Sequence, residues 1–192
     1  MNILGYAPQM AAYGGMERHV CDLAGVLASR GHHVTLVTTS NSLGAPLRAT
    51  LAAQGVTLRE LSRGRGGASR LQKMLWLLRE SLRCKSVGWD VIYTNGQSAL
   101  ARLPWLAARA DTRIVHHHHT AADAAEQATW SRVFRRVLQT APELVACSHA
   151  TQQALRHALR RDDVRFLPYL TSAPVPFEAV ANRNHAPGAP LR

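Results

Sequence analysis

The stretch that decides the fold is Gly14-Gly15-Met16-Glu17-Arg18-His19-Val20. Residues 1–7 precede it as a short apolar strand. Helical spacing then runs to about Arg30, and residues 33–38 are typical of a second strand. The glycine pair lets a ligand approach the backbone closely, and the helix start offers free N–H groups and the positive end of a dipole. We therefore expect Gly14 and Gly15 to lie beside a phosphorylated ligand.

Strand-like and helix-like segments alternate along the chain to about residue 170. Helical spacing recurs over residues 43–54, 70–85, 97–109, 125–140 and 150–160. Short apolar runs typical of strands occupy residues 56–61, 90–94, 113–117, 143–147 and 164–167. This order predicts an α/β fold with a doubly wound, mostly parallel sheet of about seven strands and helices on both faces. Pro104 could split the helix at residues 97–109, and Ser148 is a plausible N-cap for the last helix.

The composition limits the class of protein. The 192 residues suggest one domain over residues 1–170, followed by a proline-rich linker over residues 171–192. No apolar run is long enough for a membrane span, and the N-terminus lacks the pattern of a signal peptide. The three cysteines match no disulfide or zinc framework, which indicates reduced thiols in a cytoplasmic protein.

The net charge of +11 favours phosphate-bearing partners, and it is unevenly distributed. Much of the excess falls in residues 59–85, where the helix at 70–85 carries an apolar stripe. Trp76 falls outside that stripe, on the side that carries Lys73, Arg79 and Arg83. We expect Trp76 on an exposed face, as in helices that lie at a membrane surface. The competing interpretation is a solvated basic helix whose tryptophan packs under a neighbouring loop.

Three polar features follow predicted strands and should meet at one edge of the sheet. They are the glycine pair, Asn95-Gly96 and the run of four histidines at residues 116–119. Ligands of doubly wound sheets bind beyond the carboxyl ends of the strands. We therefore expect these three features to share one crevice.

The histidine run allows four interpretations. One of them, an expression tag, is disfavoured by the internal position of the run between a strand and a helix. Alternate residues of a strand share a face, so His117 and His119 could point together and form a pair of metal ligands. However, no carboxylate or cysteine is recognisably placed to complete such a site. The run could instead form an active-site rim, with one histidine contacting a phosphate or a sugar. It could also be purely structural.

Several activities are disfavoured by the motifs that are missing. The glycine pair is neither a G-x-G-x-x-G fingerprint nor a P-loop, and no acidic residue closes the second strand. NAD binding and nucleoside triphosphate hydrolysis are therefore disfavoured. There is no nucleophile elbow and no nucleic-acid module. Cys147-Ser148-His149 is better explained as the end of a strand and a helix cap than as a catalytic pair.

Taken together, these residues resemble family 4 glycosyltransferases, which have the two-domain GT-B fold. The opening MNILGYAPQM…GGMERHVCDLAGVLASRGHHVTLVT matches the family's first strand, glycine pair and second strand. DVIYTNG and ELVACSHATQQAL…VRFLPY match later segments in the same order. The resemblance covers residues 1–170. It implies a Rossmann-like N-terminal domain that mainly binds the acceptor.

The resemblance also implies an activity. The parent enzyme would be a retaining hexosyltransferase that moves a sugar from a nucleotide diphosphate sugar to a glycan or lipid-linked acceptor, in cell-surface polysaccharide or glycolipid synthesis. No cofactor and no metal would be needed. The family's second domain, which carries most sugar-nucleotide contacts, is absent, so we expect the chain to be the N-terminal half of a longer enzyme and inactive alone.

Site residues are also implied by the resemblance. Gly14 and Gly15 would approach the donor or acceptor phosphate, and His119 or else His118 would contact the transferred sugar. The acceptor would meet Asn95, Thr120 and Arg18. The membrane-facing residues would be Trp76, Lys73, Arg79 and Arg83. We expect a cytoplasmic protein, with a peripheral position on the inner face of the membrane as one option and nucleic acid not among its partners. The alternative function is a non-catalytic Rossmann-like module that binds a phosphorylated or anionic ligand.

Overall fold

The computed structural model describes residues 1–8, 15–38, 45–61 and 69–169. Within them, seven strands form one sheet in which every neighbouring pair is parallel. The strands are β1 (Asn2–Ala7), β2 (His33–Thr38), β3 (Thr57–Glu60), β4 (Val91–Asn95), β5 (Arg113–His118), β6 (Glu143–Ala146) and β7 (Arg165–Phe166). Their order across the sheet is β3-β2-β1-β4-β5-β6-β7. The predicted fold class is therefore confirmed.

Helices cover both faces of the sheet. They are α1 (Gly15–Ser29), α2 (Ala45–Ala53), α3 (Arg70–Cys84), a 3₁₀ helix (Ala99–Ala107), α4 (Ala124–Thr129), α5 (Arg132–Thr140) and α6 (His149–Leu159). Alternate residues of β1 pack on opposite sides: Ile3 and Ala7 join the core with α1 and α2, whereas Leu4 and Tyr6 join the core with α3 and the 3₁₀ helix. Both faces of β1 are therefore buried, which explains why this strand is a continuous apolar run.

The segment that follows β4 differs from the prediction. It forms a single 3₁₀ helix with Pro104 inside it, and not an α-helix split by that proline. A proline has no backbone N–H to donate, which disfavours a continuous α-helix through position 104. The Ser98 hydroxyl caps this helix by accepting from the N–H of Leu100 at 3.0 Å.

The single helix expected over residues 125–140 is in fact two helices, α4 and α5. Trp130 leaves the helical region with ψ of 121°, and Ser131 starts α5 by accepting from the N–H of Phe134. A serine with a free N–H three residues later is a strong N-cap, and this second start divides the segment. Ser148 caps α6 in the same way, as predicted.

Helix α3 faces the sheet differently from the expectation. Trp76 is half-buried and packs against the core cluster beneath α3, whereas Leu71, Leu75 and Leu82 are more than half exposed. The prediction that Trp76 lies on the exposed face is therefore wrong. Buried contacts come from Leu77, Glu80, Ser81 and Cys84 on the opposite side. Glu80 is buried on this face because Arg59 and Arg83 each pair with its carboxylate at 3.1 Å.

The strand order reverses direction between β1 and β4, which are paired neighbours. Chain connections leave these two strands toward opposite sides, so a crevice opens beyond their carboxyl ends. The start of α1, the turn after β4 and the histidines of β5 all lie at this edge of the sheet. The predicted linker at residues 171–192 and Gly14 lie outside the described residues.

Candidate active site

A cavity of about 760 Å³ occupies this crevice. Its walls come from β1, α1, α3, the turn after β4, the residues that follow β5, and the junction of α4 and α5. The polar and glycine residues that line it include Gly15, Glu17, Arg70, Lys73, Gln97, His119 and Thr120. The structure thus brings together four of the predicted site residues, Gly15, Lys73, His119 and Thr120.

The other residues predicted to contact a substrate lie elsewhere. Asn95 and His118 are fully buried and do not line the cavity. Arg18 is exposed and forms an ion pair with Asp22 at 3.7 Å, beside a smaller cavity of about 120 Å³ between α1 and α2. Lys73, which we expected at a membrane surface, lines the main cavity instead, because it lies near the N-terminal end of α3.

Gly15 opens α1 at the edge of the cavity. A Cβ atom built there would meet no atom within 4 Å. Packing among the described residues therefore does not require a glycine at this position. By contrast, Gly96 has φ of +99°, and a Cβ there would approach Pro8 to 2.5 Å. Gly96 is needed for the turn, whereas Gly15 leaves room for a ligand.

The four histidines divide between the two faces of β5. His116 and His118 pack toward Phe134 of α5. His117 and His119 point to the opposite side, with ring centroids 4.0 Å apart, as strand alternation predicted. The His19 ring of α1 lies within 5.5 Å of both.

His119 is held by two tyrosines. The hydroxyl of Tyr169 donates its one hydrogen to the carbonyl oxygen of His119 at 3.0 Å. The same hydroxyl lies 3.2 Å from Nδ1 of His119, and because its hydrogen is already used, it accepts a hydrogen bond from Nδ1–H. This bond leaves Nε2 without a proton, 3.4 Å from the hydroxyl of Tyr93. Burial, reinforced by neighbouring His117 and His19, lowers the pKa of His119 to about 2. His119 is therefore a neutral ring whose Nε2 accepts hydrogen bonds.

Glu126 connects several of these groups and was not recognised from sequence. Its Oε1 lies 2.9 Å from His118 Nε2 and accepts from the hydroxyl of Thr120 at 2.7 Å. Its Oε2 accepts from the N–H of Ala122 at 2.8 Å. Burial acts to raise the pKa of Glu126, but these three hydrogen bonds outweigh it and lower the pKa to about 2. The carboxylate is thus ionised directly behind the cavity wall.

Gln97 completes this wall and was also missed. Its amide Nε2 donates to Thr120 at 2.7 Å and to Glu126 at 3.1 Å. A signal was available, since Gln97 directly follows Asn95-Gly96 in the turn that was expected to face the crevice. Trp130 adds a further donor to Glu126 at 3.2 Å through its indole N–H.

The opposite side of the cavity is cationic. Arg70 and Lys73 lie one turn apart in α3, whose start is fixed by a capping box between Ser69 and Gln72. Within the described residues neither cation forms an ion pair, so both charges are available to a ligand. The described residues contain no group of three or more side chains suited to hold a metal ion. No helix in the ranges described is long and apolar enough to cross a membrane.

Comparison with known proteins identifies the family to which the chain belongs. The family model for Glycosyltransferase Family 4 matches residues 13–169, and the chain therefore belongs to that family. A sequence search of curated proteins gave no significant match.

Solved structures support the fold. A glycosyltransferase from Rickettsia africae ESF-5 aligns with a TM-score of 0.58 at 15% identity, covering 87% of this chain and 42% of that one. Anabaena Alr3699/HepE, determined in complex with UDP and glucose, aligns with a TM-score of 0.60 at 18% identity, covering 94% and 49%. A UDP-N-acetylglucosamine 2-epimerase from Listeria monocytogenes, described as putative, aligns with a TM-score of 0.54 at 11% identity. The alignment covers 85% of this chain and 43% of that one. The chain thus spans less than half the length of each of these proteins.

Proposed function

We propose that this chain is the N-terminal half of a retaining glycosyltransferase of the hexosyltransferase type. The enzyme transfers a sugar from a nucleotide diphosphate sugar to a glycan or lipid-linked acceptor, in the synthesis of a cell-surface polysaccharide or glycolipid. This half binds the acceptor and part of the donor phosphate. The main support is the cavity at the crevice, where the open start of α1 at Gly15 lies across from His119 in a chain of this family.

The chemistry needs little from a protein base. As the sugar leaves its diphosphate, negative charge develops on the phosphate and positive charge on the ring, so preorganised groups that stabilise charge supply most of the catalysis. The N–H groups at the start of α1, together with Arg70 and Lys73, suit the phosphate. His119 is neutral, so it hydrogen-bonds the sugar or the acceptor and does not neutralise the leaving group. No metal ion has a step in this scheme.

The test is a transfer assay. The complete protein that contains residues 1–192 is incubated with a panel of nucleotide diphosphate sugars, and release of the nucleoside diphosphate is followed. We expect turnover of at least one donor by the complete protein and none by residues 1–192 alone. The proposal fails if the complete protein turns over no donor in the presence of lipid and glycan acceptors.

A membrane-associated position is the second part of the proposal. Leu71, Leu75 and Leu82 form an exposed apolar strip on α3, and Arg79 and Arg83 flank it. An apolar strip beside cations fits the surface of an anionic bilayer, which supports a peripheral, cytoplasmic-face location. If the transferase assay fails, the same features support the alternative of a non-catalytic module that binds an anionic ligand at a membrane.

A further inference from the structure

The orientation of the Gln97 amide is fixed by its neighbours. Its Nε2 lies 3.1 Å from a carboxylate oxygen of Glu126 and 2.7 Å from the hydroxyl of Thr120. An ionised carboxylate only accepts hydrogen bonds, so the amide must present its NH₂ group to Glu126. Both amide hydrogens are then used, and the carbonyl oxygen Oε1 is the group that remains.

Oε1 of Gln97 has no donor within the described chain. Gln97 is exposed, and it lines the cavity beside His119 and Thr120. Its carbonyl oxygen is therefore available to a ligand in the cavity.

Thr120 does not offer an equivalent group. Its hydroxyl donates to Glu126 at 2.7 Å and accepts from Gln97 at 2.7 Å. A hydroxyl has one hydrogen to donate, and here the carboxylate takes it. Although Thr120 was one of three expected acceptor-binding residues, its bonds make it a link between Glu126 and Gln97.

The two walls of the cavity favour different parts of a ligand. Glu126 places a negative charge within 3.1 Å of the Gln97 amide, which repels phosphate from this wall. Arg70 and Lys73 attract phosphate on the α3 side. A carbonyl oxygen backed by a carboxylate favours uncharged hydrogen-bond donors, and the hydroxyl groups of a sugar are such donors.

We propose that Oε1 of Gln97 accepts a hydrogen bond from a sugar hydroxyl bound in the cavity, and that Glu126 is the positioning residue that holds the amide in this orientation. The inference rests on the proposed function in taking the ligand to be a glycan or a sugar nucleotide. It adds a specificity-determining contact, because a sugar whose hydroxyl is missing or inverted at the contacted carbon loses this bond.

The test is ligand-observed NMR with residues 1–192 and a panel of methyl pyranosides and their monodeoxy derivatives. The wild-type chain is expected to bind at least one pyranoside. Gln97→Leu should weaken that binding about tenfold, as expected for one lost hydrogen bond. Gln153→Leu is the matched control, since Gln153 is an exposed glutamine on α6, and it should bind as the wild type does.

A merely structural role is excluded by the deoxy sugars. The monodeoxy derivative that lacks the contacted hydroxyl should bind the wild type and Gln97→Leu equally. Glu126→Gln should weaken binding of the parent pyranoside several-fold, because the amide of Gln97 is then free to turn, and Glu126→Asp should recover part of the loss. A thermal melt of each variant checks folding, and Gln97→Leu should melt with the wild type because residue 97 is exposed.

The inference is overturned if the wild type binds no pyranoside, or if Gln97→Leu binds every pyranoside as tightly as the wild type. Either result is distinct from failure of the proposed function, which is measured as transfer by the complete protein. If the chain binds pyranosides through Gln97 but the complete protein transfers no sugar, the Gln97 contact stands and the proposed transferase function fails.

Discussion

The rings of His117 and His119 lie 4.0 Å apart and tilt by 35° on the α1 side of the sheet. Burial is the largest cause that lowers their pKa values, to about 3 for His117 and about 2 for His119. His116, fully buried on the other face, also has its pKa lowered to about 3, mainly by burial. Three neutral imidazoles therefore lie along one strand.

These histidines predict acid sensitivity of the fold. The unfolded chain protonates them below pH 6.5, whereas the folded chain does not until about pH 3. Stability is thus greatest above pH 6.5 and falls as the pH drops, with a slope of at most about 4 kcal/mol per pH unit for three protons. Urea unfolding followed by tryptophan fluorescence at pH values between about 7.5 and 5 measures this slope. His116→Asn should reduce this slope by about one third, because one of the three protons is removed, whereas substitution of the exposed His157 by Asn should leave the slope unchanged. A free energy of unfolding that does not change with pH in this range would contradict the prediction.

Glu126 is expected to stabilise the fold as well as position Gln97. Glu126→Gln removes the charged acceptor shared by His118, Thr120 and Trp130. We expect the free energy of unfolding to fall by about 2 kcal/mol at neutral pH. The matched control is Glu60→Gln. The Glu60 carboxylate pairs with Arg48 at 2.9 Å, and its cost should be smaller because fewer groups share this carboxylate. Equal effects for the two variants would argue against a central role for Glu126.

Gly15 separates ligand binding from folding. Gly15→Ala adds a methyl group where no atom lies within 4 Å, so the melting temperature should stay unchanged or rise slightly. If phosphate approaches the backbone there, the affinity of the complete protein for a nucleoside diphosphate should fall several-fold. Gly31→Ala is the control: φ of +82° at Gly31 makes the change destabilising by about 1 kcal/mol, with no effect on ligand affinity. Isothermal calorimetry and thermal melts give the two readouts, and unaltered affinity in Gly15→Ala would count against the phosphate site.

His119 should contribute to transfer without titrating. His119→Leu is expected to lower kcat/KM of the complete protein by roughly tenfold or more, since it removes a hydrogen-bond acceptor beside the substrate. Because the pKa of His119 is about 2, the wild type and the variant should show parallel pH profiles between about pH 6 and 8. A limb in the wild-type profile that disappears in the variant would show that His119 titrates in the working range.

The leucine strip of α3 gives a test of membrane association. Leu75→Gln with Leu82→Gln should weaken sedimentation with phosphatidylglycerol vesicles by about tenfold or more and leave folding intact, since both side chains are more than half exposed. Val133→Gln, a similarly exposed residue on α5, is the control. Arg79→Gln should weaken binding about fivefold, as expected for one cation near an anionic surface. Trp76→Ala is less informative because it also removes a core contact. Binding that is unchanged by both leucine substitutions would refute a membrane role for this strip.

The sequence was sufficient to predict the sheet and the crevice. The strand-like runs in the sequence located all seven described strands within two residues at each end. The breaks between α4 and α5 and the 3₁₀ winding around Pro104 depend on single capping or proline residues. An apolar pattern does not show whether a capping residue or a proline will break or rewind a helix.

The side-chain network was beyond the reach of the sequence. Glu126 lies 29 residues from Gln97, and nothing in either segment indicates that β4, β5 and α4 bring them together. The face of α3 was misjudged for a related reason. The sequence shows a stripe of leucines on α3, and we expected that stripe to pack on the sheet. In the structure the stripe is exposed, and the packed face consists mainly of smaller and polar residues.

The histidine run also raises a question of pairing accuracy during folding. A slip of β5 by one residue exchanges the two faces of the strand, yet within residues 116–119 it would often replace one histidine by another. The run therefore carries little information about its own alignment, which must be specified by its ends. Arg113 pairs with Glu143 of β6 at one end, and Thr120 is fixed by Glu126 at the other. Lengthening or shortening the run should be tolerated poorly, because it would separate these two anchors from the strand that they align.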